Sequence, residues 1–252
     1  MELSDIIKTR FADAPWILKG TTVAVGGVGG IGSNLSYLLA KIGLNMVLID
    51  ADKVEDHNIG GQMFDVDDID KYKTEAITEK ILNINPSLGV YPNNQFLTEE
   101  NAKGLVQPIC FSCFDNMKAR ADMFNAWEEL AAKLDVSYSP EGERYIDKFP
   151  IFIDGRQESE TFQVYAVPYY NVDGLINNEG LQRYKETLFD DREVPDLPCN
   201  FKSTTHVGFM TSATMISVFT NFITNMKTQE VIREVPFKIE FNIPLMLYET
   251  TT

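Results

Sequence analysis

The chain is poor in basic residues and has no long uninterrupted apolar run. Its 252 residues include 22 lysines and arginines against 37 aspartates and glutamates, a formal net charge of −15. Nucleic-acid surfaces and sites for anionic membranes both depend on clustered basic residues, so we expect neither partner. No apolar stretch reaches the ~18 residues of a membrane span, and the N-terminal sequence lacks the apolar core of a secretory signal.

Cysteine is also scarce. The three cysteines, Cys110, Cys113 and Cys199, form an odd set, which argues against a disulfide framework and favours the reducing cytoplasm. Cys110 and Cys113 have C-x-x-C spacing, but they fall in a predicted buried strand, where their side chains converge poorly on a metal. We therefore predict a cytoplasmic protein without zinc.

The first half of the chain alternates short apolar segments with amphipathic ones. This pattern predicts a Rossmann-like α/β fold: a mostly parallel sheet with helices on both faces. Strands are predicted at 22–26, 46–49, 89–91, 108–114 and 151–154, and helices at 30–42, 74–82, from 99, and 116–134.

The pattern changes after residue 154. Segments 161–167 and 237–248 alternate like antiparallel strands, and 205–226 predicts a long apolar helix of the core or of a dimer interface. We predict one domain over 1–252, with a nucleotide-binding half at 1–155. The mixed, antiparallel C-terminal part at 156–252 would serve substrate binding and dimerisation.

The most informative segment reads VAVGGVGGIG and spans Val23 to Gly32. An apolar strand enters a glycine-rich turn that opens a helix, a geometry that brings backbone N–H groups and a positive helix end up to a phosphate. The glycines fit the spacing G-x-G-x-x-G, and an acidic residue about 20 positions on suits a ribose hydroxyl. The predicted nucleotide contacts here are Gly27, Gly29, Gly30, Gly32 and Asp50.

Polar companions follow at predicted strand ends, where open α/β sheets bind ligands. Lys73 can neutralise triphosphate oxygens, and Asp115 can hold Mg²⁺, which prefers oxygen ligands. The set suits attack of a carboxylate on the α-phosphate of ATP, with pyrophosphate leaving, because two anions must be positioned and neutralised. Its other members are Asp52, Asn58, Gln62 and Asn116, with Arg120 one turn further on.

These motifs in this order resemble the ThiF/MoeB/HesA adenylyltransferases, relatives of the ubiquitin-activating enzymes. The similarity rests on GGVGGIGS, LIDADKVEDHNIGGQ, Lys73, INP at 84–86 and CFDNMKAR, between residue 22 and about 125. It implies adenylation of the C-terminal carboxylate of a small ubiquitin-like or sulfur-carrier protein or peptide, with ATP and Mg²⁺. By the family pattern, Asp50 takes the ribose, Asn58, Gln62 and Lys73 the phosphates, and Asp115 the metal.

The resemblance also implies a homodimer in which an N-terminal arginine reaches the neighbouring subunit, for which Arg10 is the candidate. The family usually has an arginine just before the glutamine, where this chain has Gly61. The phosphate or catalytic contact of that arginine is therefore either missing or supplied elsewhere, by Arg10, Arg156 or Lys202. Many members carry two C-x-x-C pairs in the second half, where this chain has only Cys199, at a position that some relatives use for an active cysteine.

Two alternative functions and two alternative residue roles stay open on the sequence. A nicotinamide-dependent oxidoreductase has the same glycine motif, although no acid–base pair for hydride transfer is evident. A non-catalytic nucleotide-binding module would explain Gly61. For Arg156, a buried ion pair with Asp154 or Glu158 is as good an interpretation as a substrate contact. For Asp115, the alternative to metal binding is a cap at a helix N-terminus, and one side chain could serve both roles.

Overall fold

A single sheet organises the protein. The computed structural model describes residues 13–18, 20–134, 149–170, 175–191 and 204–252, and within them eight strands pair in the order β3-β2-β1-β4-β5-β6-β7-β8. Pairing is parallel from β3 across to β5 and antiparallel from β5 to β8. The strands are β1 (Thr22–Gly26), β2 (Asn45–Ile49), β3 (Val90–Asn93), β4 (Ile109–Ser112), β5 (Ile151–Glu158), β6 (Thr161–Pro168), β7 (Lys238–Asn242) and β8 (Leu247–Thr251).

Helices cover both faces of the sheet, and each face has its own apolar cluster. The described α-helices are α1 (Gly32–Lys41), α2 (Lys73–Ile84), α3 (Glu99–Leu105), α4 (Met117–Lys133), α5 (Asn178–Glu186) and α6 (Thr205–Thr228). Residues of α1, α2 and α6 share one cluster, which includes Leu35, Ile77 and Phe219. Those of α3, α4 and α5 share the other, with Trp127 and Tyr184. The predicted Rossmann-like fold is confirmed.

The fifth strand extends past its parallel neighbour. The pairing of β4 with β5 ends at Ser112 opposite Asp154, whereas β5 continues to Glu158 paired with β6. Four residues of β5 therefore project beyond the carboxyl edge of β4, and the proposed boundary at residue 155 falls inside this strand. The sequence pattern at 151–154 predicts only the apolar start of this strand, because the residues after Gly155 are polar.

Two further differences concern helices. The first helix begins at Gly32 rather than at residue 30, because residues 29–31 form the turn that leads into it. The helix α5 was not predicted, since a polar nine-residue segment buries only a few of its side chains, among them Leu181 and Tyr184.

The helix α6 has the length and composition to cross a membrane, the one such helix in the described parts of the chain. More than half of its most apolar stretch is nevertheless buried inside the protein. Its buried side chains include Val207, Met215 and Phe219, which belong to the apolar cluster shared with α1. A core helix satisfies the same length and composition test, so this feature is weak support for a membrane role.

Candidate nucleotide-binding site

The predicted nucleotide contacts gather at the carboxyl edge of three neighbouring parallel strands. The glycine loop, residues 27–32, follows β1, Asp50 follows β2, and Asp115 follows β4. Since β1 lies between β2 and β4, the loop sits at the centre of this edge. From β1 the chain adds β2 and β3 on one side and then crosses back to add β4 on the other side of β1. Open α/β sheets bind ligands at such a switch point in the strand order.

Close backbone packing requires glycine at two positions of the loop. Gly27 has a φ of +81°, and a Cβ there would lie 2.7 Å from the Cys113 carbonyl oxygen. A Cβ on Gly32 would lie 1.8 Å from the Gly27 carbonyl oxygen, an impossible separation. At Gly29, by contrast, a Cβ would meet nothing within 4 Å, so this side of the loop is open.

The loop also presents unused donors. Within the described residues, no hydrogen bond engages the backbone N–H of Gly29, Gly30 or Ile31. These groups precede the first turn of α1, where the helix dipole adds positive potential. An anion such as a phosphate is the ligand that this arrangement favours.

Asp50 holds the loop in place. Its carboxylate accepts hydrogen bonds from the backbone N–H of Val28 at 2.6 Å and of Asp52 at 2.8 Å. Burial raises the pKa of Asp50 above its ordinary value, and Lys73 opposes the shift. Each carboxylate oxygen has a second lone pair, so contact with a ribose hydroxyl remains available alongside this structural role.

Lys73 is the buried cation of the site. It is the first residue of α2, and its side chain is only 9% exposed. Its Nζ lies 2.9 Å from Asp52 Oδ2, and its backbone N–H donates to the Asp52 carbonyl oxygen at 2.9 Å. Asp52 is 59% exposed, so an incoming phosphate can exchange with it as the partner of the ammonium group.

Asn58 shapes the segment that carries Gly61 and Gln62. It is buried, its Oδ1 accepts from the Glu55 N–H at 2.9 Å, and its carbonyl oxygen accepts from the N–H groups of Gly61 and Gln62 at 3.2 and 3.0 Å. The Gln62 Oε1 is buried without a hydrogen-bond partner. Asn58 is thus largely used by the fold, whereas the amide of Gln62 is uncommitted.

At the end of β4, the cap of the following helix is Asn116 and not Asp115. Asn116 Oδ1 accepts from the Ala119 N–H at 2.8 Å, which closes the N-terminus of α4. The alternative in which Asp115 caps this helix is therefore wrong. Asp115 is exposed, and its carboxylate contacts only the Asn116 Nδ2 at 3.5 Å among the described residues. Its oxygens are free to bind a cation.

The first turn of α4 also receives a carboxylate from a distant segment. Asp191 accepts hydrogen bonds from the N–H groups of Met117 and Lys118 at 2.7 and 3.1 Å. Together with the Asn116 cap, this satisfies the first donors of the helix. The sequence contained no indication of the contact, because it joins residues more than 70 positions apart.

Behind the site, Asp154 forms a buried ion cluster with two arginines. Burial alone would raise the pKa of its carboxyl, but Arg120 and Arg156 hold that pKa below its ordinary value. Arg156 Nε lies 2.7 Å from Asp154, and Tyr184 donates to the same carboxylate at 3.0 Å. Arg120 pairs with Asp154 and also donates to the carbonyl oxygens of Phe114 and Gly155.

This cluster decides between the two interpretations of Arg156. Its guanidinium also donates to the Thr187 carbonyl and hydroxyl oxygens at 3.0 and 2.8 Å and lies over the ring of Tyr165. All three guanidinium nitrogens therefore take part in structural contacts. This favours the buried ion pair as the role of Arg156 over replacement of the arginine that the family has at the position of Gly61. Arg120 is likewise structural: it holds the carbonyl just before Asp115 and so fixes the end of β4.

One polar side chain at the loop was not foreseen. Gln157, in the projecting part of β5, places its Nε2 2.8 Å from where a Cβ on Gly30 would stand. Its Oε1 is buried without a partner. Only the pairing of β5 with β6 brings it here, so no local motif could reveal it.

The described cysteines are unsuited to metal or acyl chemistry. Burial raises the pKa of Cys110 to about 12 and that of Cys113 further still, so both thiols stay protonated. No group of three or more His, Cys, Asp or Glu side chains forms a metal centre in the described ranges. Three predicted residues, Arg10, Cys199 and Lys202, lie outside those ranges.

A parallel sheet with a phosphate-binding glycine loop, an acidic residue after β2 and a buried lysine define a nucleotide-binding α/β protein. The particular family follows from comparison with known sequences. The model of the ThiF family matches residues 15–141, half of the chain, and the protein belongs to this family.

Curated relatives match the same half. The ubiquitin-like modifier-activating enzyme 5 of Aedes aegypti is 30% identical over 129 residues, which cover 45% of this chain and 32% of the relative. That of Drosophila grimshawi is 33% identical over 118 residues, 41% of this chain and 30% of the relative. The matched region therefore spans about a third of these relatives.

Similar folds also occur among solved structures. PaaA has a TM-score of 0.66 at 17% identity, with 98% of this chain and 71% of that chain covered. Escherichia coli MccB with ATP has a TM-score of 0.63 at 16% identity, with 95% of this chain and 65% of that chain covered. These likenesses extend the common fold over nearly the whole chain, including the half beyond residue 141.

Proposed function

We propose that the protein is an ATP-dependent adenylyltransferase that activates a C-terminal carboxylate as an acyl-adenylate and releases pyrophosphate. The observation that carries the proposal is Lys73: a buried ammonium group beside Asp50 and Asp52, at the same sheet edge as the unused N–H groups of Gly29 and Gly30. A buried cation next to a phosphate-binding loop suits a triphosphate, and membership of the ThiF family supports the same ligand.

The residues have distinct roles in this proposal. The N–H groups of the loop bind the α-phosphate, Lys73 neutralises the outer phosphates, and Asp50 contacts the ribose. Asn58, Gln62 and Asn116 line the phosphate side. These groups position two anions and disperse their charge, which is the main requirement of phosphoryl-group chemistry.

Asp115 is the proposed ligand of Mg²⁺. Its carboxylate is exposed at the end of β4, and the fixed end of that strand keeps it beside the loop. Mg²⁺ bound to a nucleotide commonly uses only one or two protein carboxylates, with phosphate oxygens and water as its other ligands. A single available carboxylate therefore fits this ion, which would supply charge neutralisation at the phosphates.

The acceptor belongs to the class that the family suggests: a small ubiquitin-like or sulfur-carrier protein, or a peptide, with a free C-terminus. Aedes aegypti ubiquitin-like modifier-activating enzyme 5 is named for such a modifier, and MccB has been crystallised with MccA. We further propose a cytoplasmic homodimer in which Arg10 completes the neighbouring site. In this proposal the Cys199 thiolate attacks the acyl-adenylate to form a thioester with release of AMP, or takes sulfane sulfur from a persulfide donor, whose thiol is released. Residues 156–252 would contribute substrate binding and dimerisation.

Titration calorimetry with Mg-ATP tests the nucleotide site. We expect the wild-type protein to bind Mg-ATP in preference to NADH. Lys73→Met should weaken Mg-ATP binding roughly 10- to 100-fold, because it removes a charge-assisted contact to phosphate. Lys103→Met is the matched control, since Lys103 lies on α3 in an exposed pair with Glu129. Tight NADH binding without ATP binding would favour the oxidoreductase instead.

A further inference from the structure

Gln157 stands at the corner where the glycine loop meets the segment with Gly61. A Cβ on Gly30 would lie 2.8 Å from Gln157 Nε2 and 3.9 Å from the Gly61 carbonyl oxygen. The residue projects from the part of β5 that extends past β4. Its amide therefore reaches the glycine loop from the second half of the chain.

The amide of Gln157 has no task in the fold. No hydrogen bond to either of its ends occurs among the described residues, and its Oε1 is fully enclosed. Gln157 shares this property with Gln62, whereas Asp50 is engaged with Val28 and Lys73 with Asp52. The Oε1 of this amide is a buried acceptor without a partner, an unfavourable state that is rare in folded proteins. Its Nε2 carries two N–H donors that no described residue engages, and these are what the side chain can offer a ligand.

The surroundings of this corner favour an anion. The N-terminus of α1 lies here with its unused N–H groups, and the N-terminus of α6 joins it: a Cβ on Gly208 would lie 2.5 Å from the Gly30 carbonyl oxygen. The Thr205 hydroxyl donates to the Gly60 carbonyl oxygen, which fastens α6 to the segment beside Gly61. The N-terminal turns of α1 and α6 thus lie next to each other at this corner, where both helix dipoles contribute positive potential.

We propose that Gln157 is a positioning residue for the nucleotide, donating a hydrogen bond from Nε2 to the phosphate chain. This inference rests on the proposed function, because it assumes a nucleotide in the loop. The neutral amide supplies a donor beside Gly61, which has no side chain to offer. The glycine loop, Gln62 and Gln157 then surround the phosphates from three sides.

Two substitutions at Gln157 separate a phosphate contact from other roles. Calorimetry with Mg-ATP should show binding weakened about 3- to 10-fold in Gln157→Leu, the effect of one lost hydrogen bond. Gln157→Glu should weaken it further, because a carboxylate repels phosphate. The controls Gln182→Leu and Gln182→Glu, on the exposed face of α5, should bind like wild type. Melting temperatures should confirm that all four variants are folded.

A double-mutant cycle with Gly61→Arg tests whether the two positions serve the same phosphates. A side chain fits at Gly61, where a Cβ would meet nothing within 4 Å. We expect Gly61→Arg to tighten Mg-ATP binding and to reduce the loss caused by Gln157→Leu, since nearby groups on one ligand are not additive.

These experiments distinguish failure of the Gln157 contact from failure of the proposed function. Unchanged Mg-ATP affinity in Gln157→Leu, or affinity retained or raised in Gln157→Glu, would overturn the role of Gln157 while leaving the nucleotide site intact. Strict additivity with Gly61→Arg would also overturn it, by separating the two positions. A folded wild-type protein that does not bind Mg-ATP would instead overturn the proposed function itself.

Discussion

Replacing Gly32 with alanine is expected to destabilise the protein by on the order of 3 kcal/mol, the upper range for overpacking. The added methyl carbon would stand 1.8 Å from the Gly27 carbonyl oxygen, and backbone atoms cannot move aside as a flexible side chain can. The turn must open to relieve the overlap, so Mg-ATP binding should be lost as well. Urea unfolding followed by circular dichroism gives the free-energy change.

Gly29→Ala is the matched control for this prediction. It adds the same methyl group to the same loop, but nothing lies within 4 Å of the new atom. Its unfolding midpoint should stay close to that of the wild type. If Gly29→Ala and Gly32→Ala were equally destabilising, the loop would not have the geometry described.

Removing the buried carboxylate in Asp154→Ala should cost about 3–5 kcal/mol, the usual effect of leaving buried charges without a partner. Asp154 is fully buried, and both Arg120 and Arg156 depend on it. Glu129→Ala is the control, because Glu129 pairs with Lys103 at the surface and its loss should change stability by less than about 1 kcal/mol. Equal effects of the two substitutions would contradict a structural ion cluster.

The Asp154 carboxylate should also make the free energy of unfolding depend on pH. The pKa of Asp154 is lower in the folded protein than its unfolded value of about 3.9. The ionised carboxylate therefore adds to the free energy of unfolding above about pH 3.9, and this contribution is lost as the pH falls below that value. Asp154→Asn removes the titrating group. The stability difference between wild type and Asp154→Asn should therefore shrink on acidification below about pH 4, as measured by urea unfolding at several pH values.

The sequence predicted the elements that have strong local patterns. The strands β1 and β2 and the helices α4 and α6 lie close to the expected bounds because apolar periodicity, a glycine turn or an Asn cap marks each of them. The helix α5 and the projecting end of β5 were missed, since their residues are polar and their positions are set by tertiary contacts with β6 and Asp154.

The sequence predicts the location of those site residues that come directly after a strand of the parallel sheet. Gly27, Asp50 and Asp115 come to one sheet edge as the alternation of strands and helices predicts. What each group does in the folded protein was not accessible from spacing. Arg120 is an anchor of the β4 end, and Gln157 reaches the loop only through strand pairing.

The central claim is that this site activates a carboxylate with ATP through Asp115 and its metal. The most direct measurement is exchange of labelled pyrophosphate into ATP with candidate carrier proteins or peptides that end in Gly-Gly, in wild type and Asp115→Ala. We predict Mg²⁺-dependent exchange in the wild type and its loss in Asp115→Ala. Exchange unchanged in Asp115→Ala would contradict the site, and tight ATP binding without exchange for any acceptor would indicate a non-catalytic nucleotide-binding module.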